Sequence, residues 1–252
     1  MMRPFNGKHC VVIGGTHGMG RAVVDHLVAG GAQVLLTGRS ETTVRQATEE
    51  LGATAHVVRS DVADAAHIDA LGTLVAERFP AVDLLFVNVG VADAQPFEDV
   101  TVAGYDRMFD VNVKGAFFTA QRLAPLIRDG GSIVFTTAVT NGRGSPTMSV
   151  YSGTKAAVRA FAKVLAAEFL PRRIRVNTVA PGFIDTPTMG IADATAEQRA
   201  ALMKIGDEVT PMRRHGTTDE VARAVLFLAF DATFTTGVEL PVDGGLGHVE
   251  AA

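Results

Sequence analysis

The sequence predicts a doubly wound α/β domain, a parallel sheet covered by helices on both faces. Three observations predict it. Short β-branched or leucine-rich runs alternate with helix-length amphipathic segments along the chain, the rhythm of strand, crossover helix and parallel strand. One run, Leu84-Leu85-Phe86-Val87, is apolar throughout, as strands buried on both faces are. No internal repeat, low-complexity tract or Pro/Gly/Ser-rich linker divides the 252 residues, so 1–252 reads as one domain.

In chain order the strand runs are His9–Ile13, Gln33–Thr37, Thr54–Arg59, Leu84–Asn88, Ser132–Thr137, Arg175–Ala180 and Val238–Val242. Between the first three, Gly20–Ala29 and Thr42–Leu51 place apolar residues at helical spacing. Thr101–Ile127 and Val150–Phe169 are longer helical stretches, rich in small and apolar residues. Thr186–Met212 is more polar and helix-forming around Ala194–Ile205. It follows a strand's carboxyl end, where ligands bind in such sheets, and reads as a substrate lid at about 186–212. A surface insertion without a role is the alternative.

A composition of 47% hydrophobic and 20% charged residues is that of a globular chain, and a net charge of -4 offers no broad basic surface for nucleic acid. The single cysteine, Cys10, excludes an intramolecular disulfide. It lies in the first apolar run and reads as a small core hydrophobe rather than a reactive thiol. The run Cys10–Ile13 ends in glycine, short of the ~7–15 residues of a secretory signal core. The longest apolar stretch, Ala224–Phe230, is far below the ~18 residues of a membrane span. A soluble, cytoplasmic protein is the expectation.

Immediately after the first strand run comes Gly14-Gly15-Thr16-His17-Gly18-Met19-Gly20, opening a helix. Glycines at 14, 18 and 20 allow a tight turn and close approach to a pyrophosphate, and the helix amino end supplies free N–H groups. The spacing is G-x-x-x-G-x-G rather than the commoner dinucleotide G-x-G-x-x-G. The second strand run ends Leu36-Thr37-Gly38-Arg39-Ser40. An acid here would bond the ribose 2′-hydroxyl of NAD, whereas an arginine accommodates the 2′-phosphate of NADP. Gly38 stands where the acid often does and Arg39 follows, which favours NADP, with NAD as the alternative; a guanidinium forks onto phosphate and stacks on adenine. His17 adds a donor on the same side. Asp61-Val62 follows the third run, positioned to meet adenine; an ordinary helix N-cap is the other reading of Asp61.

Tyr151 and Lys155 are four residues apart at the start of a long helical stretch, so phenol and ammonium share a face. A free tyrosine, with pKa ~10, exchanges protons poorly at neutral pH, and a neighbouring cation favours the phenolate. With the glycine loop, this pair resembles the short-chain dehydrogenase/reductase family over almost the whole chain. The matching residues are Gly14, Gly18 and Gly20; Asp61-Val62; Asn88 and Gly90; Asn112-Val113; Tyr151 and Lys155; Pro181-Gly182 with Asp185-Thr186; and Val242-Asp243-Gly244-Gly245.

The resemblance implies a Rossmann fold and roles for these residues. Tyr151 would be the general acid in carbonyl reduction and the base in alcohol oxidation. Lys155 would lower its pKa and bond the nicotinamide ribose, and Asn112 would hold a water in a proton relay. Thr186 would meet the nicotinamide carboxamide, with Asn88, Gly90, Pro181, Gly182 and Ile184 lining the cofactor. Homodimer or homotetramer interfaces are implied too. The alanines of the second long stretch, such as Ala156, Ala157, Ala160, Ala162, Ala166 and Ala167, permit them, or pack within one subunit. No metal is required.

The chain departs from the family pattern at Val87-Asn88-Val89-Gly90, where the family has Asn-Asn-Ala-Gly, and at Ile13, in place of the usual threonine. A third departure matters more. The family's catalytic serine stands thirteen residues before the tyrosine, and that position is Ala138. Thr137 should face away and Thr140 shares the strand parity of 138. Three explanations stay open: Thr140 or a water supplies the missing bond, the alanine is a deliberate inactivating substitution, or the protein is naturally slow or non-catalytic. The function expected is an NADP-dependent oxidoreductase acting on the carbonyl or secondary alcohol of a small substrate; the alternative is a nucleotide-binding sensor or scaffold that lost its chemistry. Val91–Gln95, Val139–Val150, Phe183 and 188–205 would line the substrate pocket, with Met148, Met189 and Met203 as an adaptable apolar wall.

Overall fold

A computed structural model describes residues 4–187 and 195–249. β1 (His9–Ile13), α1 (Gly18–Ala29), β2 (Gln33–Gly38), α2 (Glu41–Leu51), β3 (Ala55–Arg59), α3 (Ala65–Arg78) and β4 (Val82–Val87) form the first half. Then follow α4 (Val102–Phe109), α5 (Ala116–Leu123), β5 (Ile127–Thr136), α6 (Ser149–Glu168) and β6 (Arg175–Pro181). The chain closes with β7 (Ile184–Asp185), α7 (Ala196–Val209), β8 (Gly216–Thr217), α8 (Thr218–Leu226) and β9 (Glu239–Val242).

Seven strands pair in parallel in the order β3-β2-β1-β4-β5-β6-β9. Every predicted strand run is a strand of this sheet, with ends shifted by a residue or two and β5 beginning earlier, at Ile127. Alternate side chains serve two cores. Cys10, Val12, Leu36 and Phe86 pack with α1, α2 and α8 on one face. Val11, Ile13, Leu35 and Phe135 pack with α3, α5 and α6 on the other. Cys10 is fully buried, and burial pushes its thiol pKa up, as expected of a core hydrophobe.

The order reverses between β1 and β4, and a doubly wound sheet opens its ligand crevice at that switch point. Thr101–Ile127 is not one regular helix: α4 and α5 are joined by a π-helical turn, Asp110–Gly115, which seats Asn112 in the core. Of the expected lid, α7 is described, while Met189 and positions 188–194 lie outside the described residues. Short β7 and β8 pair with each other, tying the end of the lid region to the loop after β6. Ala162 and Ala166 pack inside the subunit, whereas Ala160 and Ala167 are exposed.

Candidate active site

β1 ends at Ile13 and the chain turns at Gly14 with φ +76°. A Cβ at Gly14 would lie 2.3 Å from the Asn88 carbonyl oxygen, and one at Gly20 would lie 2.0 Å from that of Gly14. The loop therefore packs backbone against backbone at the β1–β4 crevice, and only glycine fits. The Asn88 Nδ2 donates to the Gly14 carbonyl at 3.1 Å and its Oδ1 accepts from the Thr136 hydroxyl at 2.9 Å, fixing the loop to β4 and β5. α1 starts after His17 without a side-chain cap. Its first N–H groups and the positive end of its dipole are open to an anion. Gly18 takes a left-handed φ of +58°, with Thr186 3.6 Å from where its Cβ would be. Glycine cradle and uncapped helix together fit a dinucleotide pyrophosphate.

At the end of β2, Gly38 faces Thr16: a Cβ at 38 would lie 2.4 Å from Thr16 Cγ2. Thr16 is held there, its hydroxyl donating to Thr43 Oγ1 at 3.3 Å and 3.2 Å from His17 Nδ1. His17, Arg39 and Ser40 are exposed at this end, and Ser40 precedes α2 without capping it. The cap of α3 is Asp64, which accepts from Ala66 N. Asp61, read as a possible helix cap, is therefore not one. It accepts from Ala63 N at 3.0 Å in a local turn, beside a nearly buried Val62.

Asn112 is wholly buried. Its Oδ1 accepts from Val91 N at 2.8 Å, and its Nδ2 donates to Val91 O at 2.9 Å and to Thr154 Oγ1 at 3.1 Å. The Thr154 hydroxyl in turn donates to the Tyr151 carbonyl at 2.7 Å, which links the π turn to the first turn of α6. Lys155, 2% exposed, donates from Nζ to Thr136 O at 3.0 Å and Val89 O at 3.2 Å. A Cβ at Gly90 would lie 3.0 Å from that ammonium, so glycine there leaves the lysine its place.

Burial lowers Lys155 to a pKa of about 8 and pushes the half-buried Tyr151 up to about 12. The ordering expected from the sequence, a cation depressing the phenol, is therefore reversed in the protein alone. The ammonium stands 5.8 Å from the Tyr151 ring centroid and spends its charge on two carbonyls, so desolvation of the phenol dominates. Ala138 is buried in extended backbone just beyond β5. Thr137 faces away as expected, its hydroxyl donating to Glu239 Oε1 at 2.6 Å. Strand parity does not extend to Thr140, because Val139–Asn141 is a 3₁₀ turn; its hydroxyl is buried and has no hydrogen-bond partner among the described residues.

Comparison with known proteins decides the family. The family model described as enoyl-(acyl carrier protein) reductase matches residues 14–247. The chain belongs to the short-chain dehydrogenase/reductase family. Cyclopentanol dehydrogenase from Comamonas sp. is 36% identical over 254 residues, covering 97% of this chain and 98% of its own. The NADP-dependent (R)-specific alcohol dehydrogenase of Lentilactobacillus kefiri is 32% identical over 249 residues, covering 96% and 97%. The structure of a blue fluorescent protein from a metagenomic library in complex with NADPH superposes with a TM-score of 0.86 at 31% identity, covering 96% of this chain and 99% of that one. The chain is thus an oxidoreductase of a family that binds nicotinamide cofactors.

The switch point gathers part of the set that the sequence singled out. Gly14, Gly20 and Asn88 join through one set of contacts, which also takes in Thr136, and Gly90, Asn112, Tyr151 and Lys155 through another. Pro181 is buried at the end of β6, and a Cβ at Gly182 would lie 2.9 Å from Asp243 Cα. Ile184 is buried in β7, with Thr186 just beyond and near Gly18. Sequence reading missed Thr154, inside the Tyr-x-x-x-Lys spacing, and Thr43, visible only once α2 is folded over Thr16. Among the described residues no group of acidic, cysteine or histidine side chains is placed to hold a metal, and no helix is long and apolar enough to cross a membrane.

Proposed function

We propose that the chain is an NADP-dependent oxidoreductase that interconverts a carbonyl and a secondary alcohol in a small, apolar to moderately polar substrate. The observation that carries the reading is Lys155, a lysine held almost without solvent beside Tyr151 at the end of a glycine-lined crevice. A structural role alone gives no reason to desolvate an ammonium. NADP, when bound, supplies or accepts the hydride. The glycine loop and the amino end of α1 bind its pyrophosphate, and Gly38 with Arg39 favours the 2′-phosphate.

Tyr151 moves the proton. In the resting protein the phenol, at about 12, is protonated at neutral pH, the state that donates to a carbonyl oxygen. For alcohol oxidation it must act as base. Its rate in that direction therefore rises with pH as the phenolate becomes accessible. Lys155 would orient the nicotinamide ribose from its place on the Thr136 and Val89 carbonyls. Asn112 would hold a water in a proton relay that reaches Lys155. Thr186 positions the carboxamide, and Asn88, Gly90, Pro181, Gly182 and Ile184 wall the crevice. At Ala138 no hydroxyl meets the substrate oxygen; Thr140, whose hydroxyl is unpartnered among the described residues, or a water would have to supply that bond. A homodimer or homotetramer in the cytoplasm is the assembly and place proposed.

Single-turnover mixing of the chain with NADPH and a panel of small cyclic and acyclic ketones, cyclopentanone first, tests this reading. Hydride transfer is the expected result. Tight NADPH binding with no transfer, in both this chain and Ala138→Ser, would instead make the protein a nucleotide sensor or scaffold, the reading that the absence of a hydroxyl at 138 favours.

A further inference from the structure

The arginine that follows β2 has a neighbour. In the parallel register Gly38 pairs with Arg59, the last residue of β3. On β3, Val57 packs on the α1/α2/α8 face and Val58 on the opposite one, so Arg59 projects toward the α2 face. Gly38 opens toward the same face, since Thr16 Cγ2 would lie 2.4 Å from its Cβ. The Arg59 Nε donates to the Arg39 carbonyl at 3.3 Å. That bond lays the guanidinium of Arg59 along the β2–α2 turn, with no partner for its two Nη groups among the described residues.

Two exposed guanidiniums therefore flank one turn, and neither makes an ion pair with a carboxylate among the described residues. Glu41, in the first turn of α2, is exposed and pairs with neither. The amino end of α2 points into the same space without a side-chain cap on Ser40, and Thr16 and Thr43 present hydroxyls beside it. Like charges side by side, next to the positive end of a helix, repel one another until an anion joins them.

We infer that Arg59 is a second cation for the cofactor's 2′-phosphate, forming with Arg39 a two-arginine clamp at the open end of β2 and β3. The inference rests on the NADP reading and deepens it. A phosphate monoester with two charges suits a pair of forked donors better than one. Arg59, anchored through Nε, is the more pre-organised of the two. NADH, with a hydroxyl at that place, gains nothing from it.

Isothermal titration of the cofactor-free chain with NADPH and with NADH separates the possibilities, because it reads binding without turnover. Arg59→Gln should raise the NADPH Kd about tenfold, the loss expected for one partly exposed charge-assisted phosphate bond, and leave the NADH Kd within about twofold. Arg39→Gln should behave alike, and Arg59→Lys should recover part of the loss. An Arg59→Gln protein that binds NADPH like the parent, while Arg39→Gln does not, overturns the clamp and leaves the NADP reading standing. Equal weakening toward both cofactors also overturns it, as a structural effect. A parent chain that binds NADH as tightly as NADPH overturns the NADP reading itself.

Discussion

Replacing Lys155 by methionine gives a protein whose stability should part from the parent's in a defined pH window. In the folded chain the ammonium is desolvated and its pKa falls from 10.5 to about 8; in the unfolded chain it returns to the ordinary lysine value. Below pH 8 both states carry the proton and the difference between parent and variant is constant. Between about 8 and 10.5 the unfolded chain holds a proton that the folded chain has released, so stability rises with pH. The full difference is worth about 3 kcal/mol, of which about 2 kcal/mol develops between pH 7 and pH 9.5.

The assay is urea unfolding of both proteins without cofactor, at several pH values in that range. Lys155→Met lacks the titrating group, so subtracting its curve removes every other ionisation, including the onset of Tyr151. The parent should gain about 2 kcal/mol on the variant. Parallel curves would mean that Lys155 titrates as a solvated lysine. The crevice would then be wet, and the reading of Lys155 as a desolvated partner of Tyr151 would fail.

Other consequences follow from single contacts. Gly14→Ala places a Cβ 2.3 Å from Asn88 O at a positive φ; NADPH binding by calorimetry should disappear while the far-UV circular dichroism stays native. Thr140→Val should lower single-turnover reduction about 10²-fold, and adding Ala138→Ser should restore it, if the Thr140 hydroxyl stands in for the missing serine. Gly38→Asp collides with Thr16 and should weaken NADPH without gaining NADH. Adding Thr16→Gly should be needed before NADH affinity rises. Asp83, 4% exposed, pairs with Lys8 Nζ at 3.0 Å and Arg128 Nη1 at 3.1 Å and accepts from His9 N at 2.9 Å. Asp83→Ala should cost about 2 kcal/mol in chemical denaturation, because a buried backbone donor and two cations lose their acceptor.

The sheet was legible because its strands are buried on both faces and therefore written as unbroken apolar runs. Leu84 to Val87 is the plainest case. The glycine loop was legible because Gly14 and Gly20 meet backbone atoms and tolerate no side chain. What the sequence hid depends on three-dimensional crowding. Nothing in Thr101–Ile127 announces a π turn, since the turn is held by Asn112 bonds to Val91, distant in sequence. The upward shift of Tyr151 in the chain alone is hidden from the sequence, because the four-residue spacing reveals proximity to Lys155 but neither the burial of the phenol nor the carbonyls that engage the ammonium. The strand parity of Thr140 failed at a 3₁₀ turn that alternation cannot foresee.

In the proposed reaction Tyr151, beside Lys155 at the end of a cofactor crevice, passes a proton while a hydride crosses to a carbonyl. Single-turnover transfer of deuterium from 4-deuterated NADPH to a small ketone tests it directly, comparing the parent chain with Tyr151→Phe and Ala138→Ser. The expected result is slow deuterium transfer by the parent, none by Tyr151→Phe despite unchanged NADPH affinity, and faster transfer by Ala138→Ser. Transfer by Tyr151→Phe at the parent's rate would contradict it.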